Sequence, residues 1–378
     1  MMVTGAGTLF EGGPPIKLQA WLIKADHPNI ARRIVAAVLI GWLPLVVLSS
    51  LNAGGLSVLL TDFAVHARSL LAVPLLLLAD SVCAPRLGFI ARHFLDAGLV
   101  GEGDRARFET AEQSTRRLRD SAWAEVGVVV LAYAIVTVLI VSVTPGTFKA
   151  WHRSGESYSA AAWWHTFVSL PILLVLLLGW MWRLLLWVRF LWLMSRLDLH
   201  LIASHPDKAA GLHFVGYSAR PWSILGLALG TVVAGRVANH VSSLSDLIDH
   251  KYAIAGVVVS AVLLFNAPLA VFTGNLLKTW QRGVFEYGAL ADEFGRQFER
   301  RWLAREAPVN EDILERPDFS AATDLYQVVD RVHEMGLLPV DLMSVGILTI
   351  ATLLPFVPVV LMAVPFDVVV SALASLLR

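Results

Sequence analysis

Long apolar runs recur along this chain, and they decide what it can become. A hydrocarbon layer about 30 Å thick is crossed by about 20 apolar residues in helical form. Runs of that kind fall at residues 34–51, 69–84, 123–144, 163–188, 222–241, 252–274 and 342–364. Only helices or closed barrels satisfy every backbone group in lipid, and these runs are helix-length. The sequence therefore predicts an all-α polytopic bundle of about seven spans. A soluble fold is excluded by the same arithmetic: 16% of the residues are charged, against about 25% in soluble domains.

Orientation follows from the basic residues, which stay on the cytoplasmic side of a span. Most of the 30 Lys and Arg lie in segments 1–33, 85–122, 196–220 and 275–341, whereas the alternate connections hold only Arg68, Lys149, Arg153, Lys251 and Arg378. This asymmetry predicts a cytoplasmic amino terminus, an odd number of spans and a carboxyl terminus outside. The formal net charge is zero, so no basic excess points to nucleic acid. The expected organisation is a cytoplasmic segment at 1–33, six spans across 34–274 with a helical connection at 85–122, a cytoplasmic helical segment at 275–341, and the seventh span with an outer tail at 342–378.

The segment after Gly274 is amphipathic. Trp280, Val284, Tyr287, Ala291, Phe294, Phe298 and Trp302 step by three or four, which specifies a helix of about 28 residues. Its aromatic stripe needs a cover, and acidic residues on the polar side are nearly as numerous as basic ones. Packing against protein, in this chain or a second copy, is expected over lying on anionic lipid. The break at 307–317 and a weaker helix at 318–335 follow. Pro44, Pro74, Pro171, Pro268, Pro355 and Pro358 interrupt the spans, and Cys83, the single cysteine, reads as a small buried hydrophobe.

Ionisable groups at membrane depth are functional candidates because they are expensive there. Counted from residue 69, Asp80 lies about 16 Å into its span, and Arg236 lies about 21 Å from the inner end of its own. The expectation is that Asp80 and Arg236 pair, with His240 one turn beyond Arg236 on the same face. Such a pair lines an ion or proton path, or fixes helix register. Near the end of the fourth run, Trp180, Trp182, Arg183, Trp187, Arg189 and Trp192 form an interface belt, with Arg183 and Arg189 as a candidate lipid-headgroup site.

The 200–217 connection holds His200, His205, Pro206, Asp207, Lys208, Gly211, His213 and Gly216. Three histidines beside acids are competent metal ligands, but the spacing matches no closed zinc pattern. His-Pro-Asp also occurs in J-domain cochaperones, there between two soluble helices rather than between membrane spans. The remaining reading is a turn, with Pro206 fixing the backbone, Asp207 capping, and Gly211 permitting a tight bend. No phosphate-binding loop, zinc-protease motif or nucleophile elbow is present, so no cofactor is expected.

This loop (205–216), the 94–107 stretch, and Asp324, Leu325, Val328, Val329, Met335 and Pro339 together resemble a class of uncharacterised bacterial multi-pass membrane proteins. The likeness runs from about residue 94 onward, and this chain has Ala210 and Gly211 where the class has two glycines before the leucine. The resemblance implies a bacterial inner-membrane location and no particular activity. The leading expectation is an oligomeric channel or secondary transporter in contact with lipid. The second is a scaffold or sensor whose cytoplasmic helices dock a protein partner, and the third an intramembrane enzyme.

Overall fold

The computed structural model describes residues 9–15, 29–52, 54–142, 150–154, 157–303 and 318–363. The apolar runs are helices: α1 (Ile30–Ser50), α2 (Phe63–Asp96), α4 (Ala122–Ser142), α5 (Ala160–Met194), α6 (His213–Ala238) and α7 (Lys251–Trp302) are each long and apolar enough to cross a membrane. Between α2 and α4 lies the polar helix α3 (Arg105–Arg119), and after α7 comes α8 (Asp318–His333). A last pair, α9 (Leu342–Leu353) and α10 (Phe356–Ala363), is bent by 49° and makes a seventh span if counted as one. Pro355 sits at that bend, where its ring excludes the helical carbonyl of the preceding turn. The fold is all-α; among the described residues the extended pairings are a two-residue ribbon of Arg153–Ser154 with Ser157–Tyr158 and an isolated bridge between Val100 and Leu199. Segments 1–8, 16–28, 304–317 and 364–378, which include the predicted break at 307–317 and the outer tail, lie outside the described residues.

Proline leaves a second mark on the spans. Ala67–Ala72 in α2 and His165–Ser169 in α5 are π-helical, and each is followed by a proline, Pro74 and Pro171. A proline cannot donate to the carbonyl four residues back and collides with it, so widening the preceding turn by one residue relieves both defects.

Helix α6 is the centre of the bundle. Gly226 and Gly230 lie one turn apart on the face toward α9: a Cβ on Gly226 would meet Thr352 Oγ1 at 2.5 Å and Leu348 Cδ1 at 2.8 Å, and one on Gly230 would run into the backbone carbonyl of Thr352. Small residues four apart let two backbones approach closely in lipid, where packing rather than hydrophobic exclusion drives association. One turn before Gly226 on α6, Trp222 stacks on Phe265 of α7 at 5.4 Å and meets Trp180 of α5 edge-on at 6.0 Å. Cys83 is fully buried and its Sγ donates to the Pro221 carbonyl at 3.0 Å, as a small core hydrophobe with a weak donor does.

The predicted 28-residue amphipathic helix is not a separate element. It continues the sixth span through a 3-10 stretch at Ala267–Phe272, opened by Pro268, and runs on as Thr273–Trp302. Its cover is protein at Gly283, where a Cβ would meet Ala203 at 2.5 Å and Val332 at 3.0 Å. Tyr287 hydrogen-bonds Ser204 at 3.1 Å.

Candidate functional site

Three constellations of polar groups stand out, two within the span helices and one at the end of the bundle that holds the 200–217 connection. The first surrounds Asp80. Its Oδ2 accepts from Arg33 Nη1 at 3.1 Å and its Oδ1 from Arg183 Nη1 at 2.8 Å. Arg33 comes from the first turn of α1 and Arg183 from the middle of α5, so the carboxylate ties three helices together. Arg183 is 4% exposed and lies over the Trp180 ring at 4.3 Å. Its Nε is buried with no acceptor among the described residues. Two guanidiniums thus share one carboxylate in a place where unbalanced charge is costly.

The expected Asp80–Arg236 pair is not formed, and the reason is a span boundary. Helix α2 starts at Phe63, six residues before the assumed start, so Asp80 lies about 25 Å along it rather than about 16 Å. That carries Asp80 to the level of Arg33 and of Cys83, which touches the start of α6. Arg236 sits in the last turn of α6, at the opposite end of the bundle. His240 does share its face, one turn on, with Nδ1 2.9 Å from the Arg236 carbonyl.

Arg183 and Arg189 do not form one headgroup site either. Arg183 belongs to Asp80, whereas Arg189 donates to Ser114 Oγ at 3.1 Å and Thr115 Oγ1 at 3.2 Å, holding α3 against α5. The two residues are six apart and point about 120° apart around the helix axis, which separates them.

The second constellation lies at the opposite end and was not foreseen. Asp62, 3% exposed, accepts from Trp151 Nε1 at 3.1 Å and Asn239 Nδ2 at 2.8 Å, joining three connections. Arg68, in the π-helical stretch of α2, donates Nε to Ala64 O at 2.8 Å and lies within electrostatic reach of Asp62. His165 opens the π-helical stretch of α5, and its Nδ1 is buried without a partner among the described residues. Each widened turn therefore presents one ionisable side chain to the same cluster, a placement common at functional sites. Reading Arg68 as a flanking residue hid this cluster. The available signal was an aspartate and two basic groups (His66, Arg68) just ahead of an apolar run that contains Pro74.

The third constellation is the loop. Asp207 accepts from the backbone N–H groups of Ala209 (2.9 Å), Gly211 (3.1 Å) and His213 (3.1 Å), and its Oδ1 lies 2.8 Å from His205 Nδ1. Gly211 has φ +94°, and the non-glycines Lys208 and Ala210 adopt φ values of 57° and 55°. Such backbone is held only where its surroundings over-determine it, and Asp207 supplies that. Pro206 precedes it in the turn. Beyond the loop, Lys208 pairs with Glu334 at 2.7 Å and its carbonyl accepts from Gly336 N at 2.8 Å, while Asp341 accepts from Arg220 at 3.0 Å and lies 3.6 Å from His213 Nε2. The loop is a hub that ties α6, α7, α8 and α9 to one another. His93, His200, His205 and His213 line a cavity of about 290 Å³ against it. Among the described residues no three His, Cys, Asp or Glu side chains are placed to hold a metal ion.

Burial pushes the Asp207 carboxyl up, but the Ala209, Gly211 and His213 N–H groups and His205 outweigh it and hold the group below its ordinary range. The stability it contributes is complete at neutral pH and is lost only as the pH falls below about 4 and through the lowered folded value. Asp207→Asn is expected to open the loop by about 1–3 kcal/mol, since an amide cannot accept all of these bonds. Hydrogen exchange of the 207–213 amides at pH 7 checks this: protection unchanged in the variant would show that the carboxylate does not hold the turn.

No protein-family model matches the chain, and no curated protein or solved structure matches it.

Proposed function

We propose that this membrane protein is a secondary transporter or channel for small anions, with Arg33, Asp80 and Arg183 at its selective point. One observation carries the reading: two guanidiniums reach a single carboxylate within the bundle, and the Arg183 Nε is buried with no acceptor among the described residues. A buried guanidinium with a donor to spare attracts a dehydrated anion in low dielectric and disfavours cations. The π-helical turns in α2 and α5 and the bent α9–α10 pair are breaks at which spans can rearrange without unfolding.

The reading includes a bacterial inner membrane, as the likeness to bacterial multi-pass proteins implies, and a cytoplasmic amino terminus, as the basic residues imply. It also includes assembly into homo-oligomers. Purified protein in liposomes is expected to carry chloride or acetate faster than potassium, and Arg183→Gln is expected to lower that flux about tenfold or more, the factor that about 1.4 kcal/mol represents. Cation selectivity, or flux no greater than in protein-free vesicles, would overturn the assignment. The second outcome favours a scaffold, for which the exposed Phe285 and Leu290 on the part of α7 beyond the 3-10 stretch provide a docking face.

A further inference from the structure

At the Asp62 end, a groove of about 800 Å³ runs between α6 and α7. Its mouth carries one guanidinium and two imidazoles. Arg236 is exposed there and makes no side-chain hydrogen bond or ion pair among the described residues, and the His240 and His250 rings lie 5.9 Å apart beside it. Both imidazoles set Nδ1 against a backbone carbonyl, of Arg236 at 2.9 Å and of Asp246 at 2.8 Å. A carbonyl only accepts, so Nδ1 carries the proton, and Nε2 donates to an anion when the ring is an imidazolium. Asp246, one turn before His250, already accepts from Ser242 and Ser243.

Apart from Ser260, the rest of the groove is apolar. Leu229 and Val233 of α6 face Val257, Ala261 and Leu264 of α7. From His250 to Leu264 the wall descends about 21 Å at 1.5 Å per residue, from the level of the helix ends into the span. The width comes from Gly256, whose missing Cβ would meet nothing within 4 Å.

We propose that this groove holds an anionic phospholipid, with its phosphate at Arg236, His240 and His250 and an acyl chain along the apolar wall. Charge complementarity selects the head, and the continuous apolar wall selects an amphiphile over a free anion. Basic side chains near a membrane surface each strengthen binding to anionic lipid severalfold. The site is separate from the Asp80 cluster and does not depend on transport.

Full-length protein in detergent, titrated with phosphatidylglycerol, phosphatidylcholine or inorganic phosphate, tests the proposal by thermal shift and by lipid retained in native mass spectrometry. Phosphatidylglycerol is expected to bind one molecule per groove in preference to phosphatidylcholine, with phosphate alone giving no shift. Arg236→Gln should weaken it about fivefold, and Gly256→Phe, whose Cβ meets nothing within 4 Å and whose ring occupies the groove, should remove the retained lipid while leaving the lipid-free melting temperature unchanged. Equal retention of both lipids, retention unchanged in Gly256→Phe, or an equal shift with phosphate alone would each overturn it.

Discussion

Asp80→Asn is expected to lower the stability of the purified protein by about 3–5 kcal/mol, the range seen when one partner of a buried ion pair is removed. The effect sits at the high end for this chain because Asp80 has two partners, Arg33 at 3.1 Å and Arg183 at 2.8 Å. Neutralising it leaves two guanidiniums facing each other with no carboxylate between them. Arg33→Gln is milder, since Asp80 keeps Arg183 and a one-to-one balance. A double-mutant cycle in detergent reads the geometry directly: Asp80 and Arg183 should couple by about 0.5–3 kcal/mol, whereas Asp80 and Arg236 should be additive. Coupling between Asp80 and Arg236, or a wild-type melting temperature in Asp80→Asn, would refute the three-helix tie.

Gly230→Ala is expected to be the most damaging glycine-to-alanine change among the described residues. The added Cβ runs into the backbone carbonyl of Thr352, which no side-chain rotation can move, so α6 and α9 must separate. Overpacking of this kind typically costs about 1–3 kcal/mol and occasionally more. Gly226→Ala meets Thr352 Oγ1 and Leu348 Cδ1, both ends of side chains that can turn, and its effect should be smaller. Gly346→Ala and Gly127→Ala meet nothing within 4 Å and serve as controls near zero. Melting temperatures that do not rank Gly230 above Gly226, and Gly226 above the controls, would contradict the close crossing of α6 and α9.

The spans were legible because one property, run length, is fixed by bilayer thickness. Their ends were not, and the site depended on the ends. Asp80 was recognisable as a charge inside an apolar run, but its partner was chosen by counting depth from an assumed start. Arg68 counts as a connection residue if the span starts at residue 69, yet the helix begins at Phe63 and includes it. That shift of six residues replaced Arg236 by Arg33 and Arg183. Arg33 was credited only to the orientation rule, although a basic residue at a span start can reach inward as easily as outward.

The loop was half legible. Pro206, Asp207 and Gly211 predicted a capped turn, and Asp207 does cap it. Its role as a hub could not be read locally, because Glu334, Gly336 and Asp341 lie more than 120 residues away in sequence. The Gly226–Gly230 spacing is the opposite case: a small-residue pattern plainly written in the sequence, which the search for charged groups passed over. Asp62 and His165 were missed for a different reason, since neither is unusual until two proline-widened turns bring Arg68 and His165 toward one carboxylate.

Helix α7 has a mechanical consequence. It passes from the bundle into its polar extension through one 3-10 stretch, and the clasp at Ala203, Ser204 and Val332 grips it near Gly283 and Tyr287. The clasp acts as a fulcrum. Beyond it α7 runs about 22 Å to Trp302 with α8 alongside, Tyr326 lying against Gly295, so a rocking of the pair by about 10° about that point would sweep its tip through about 4 Å. Small displacements between helices thereby become readable at a distance, and locking the fulcrum with a crosslink would silence that motion while leaving the bundle intact.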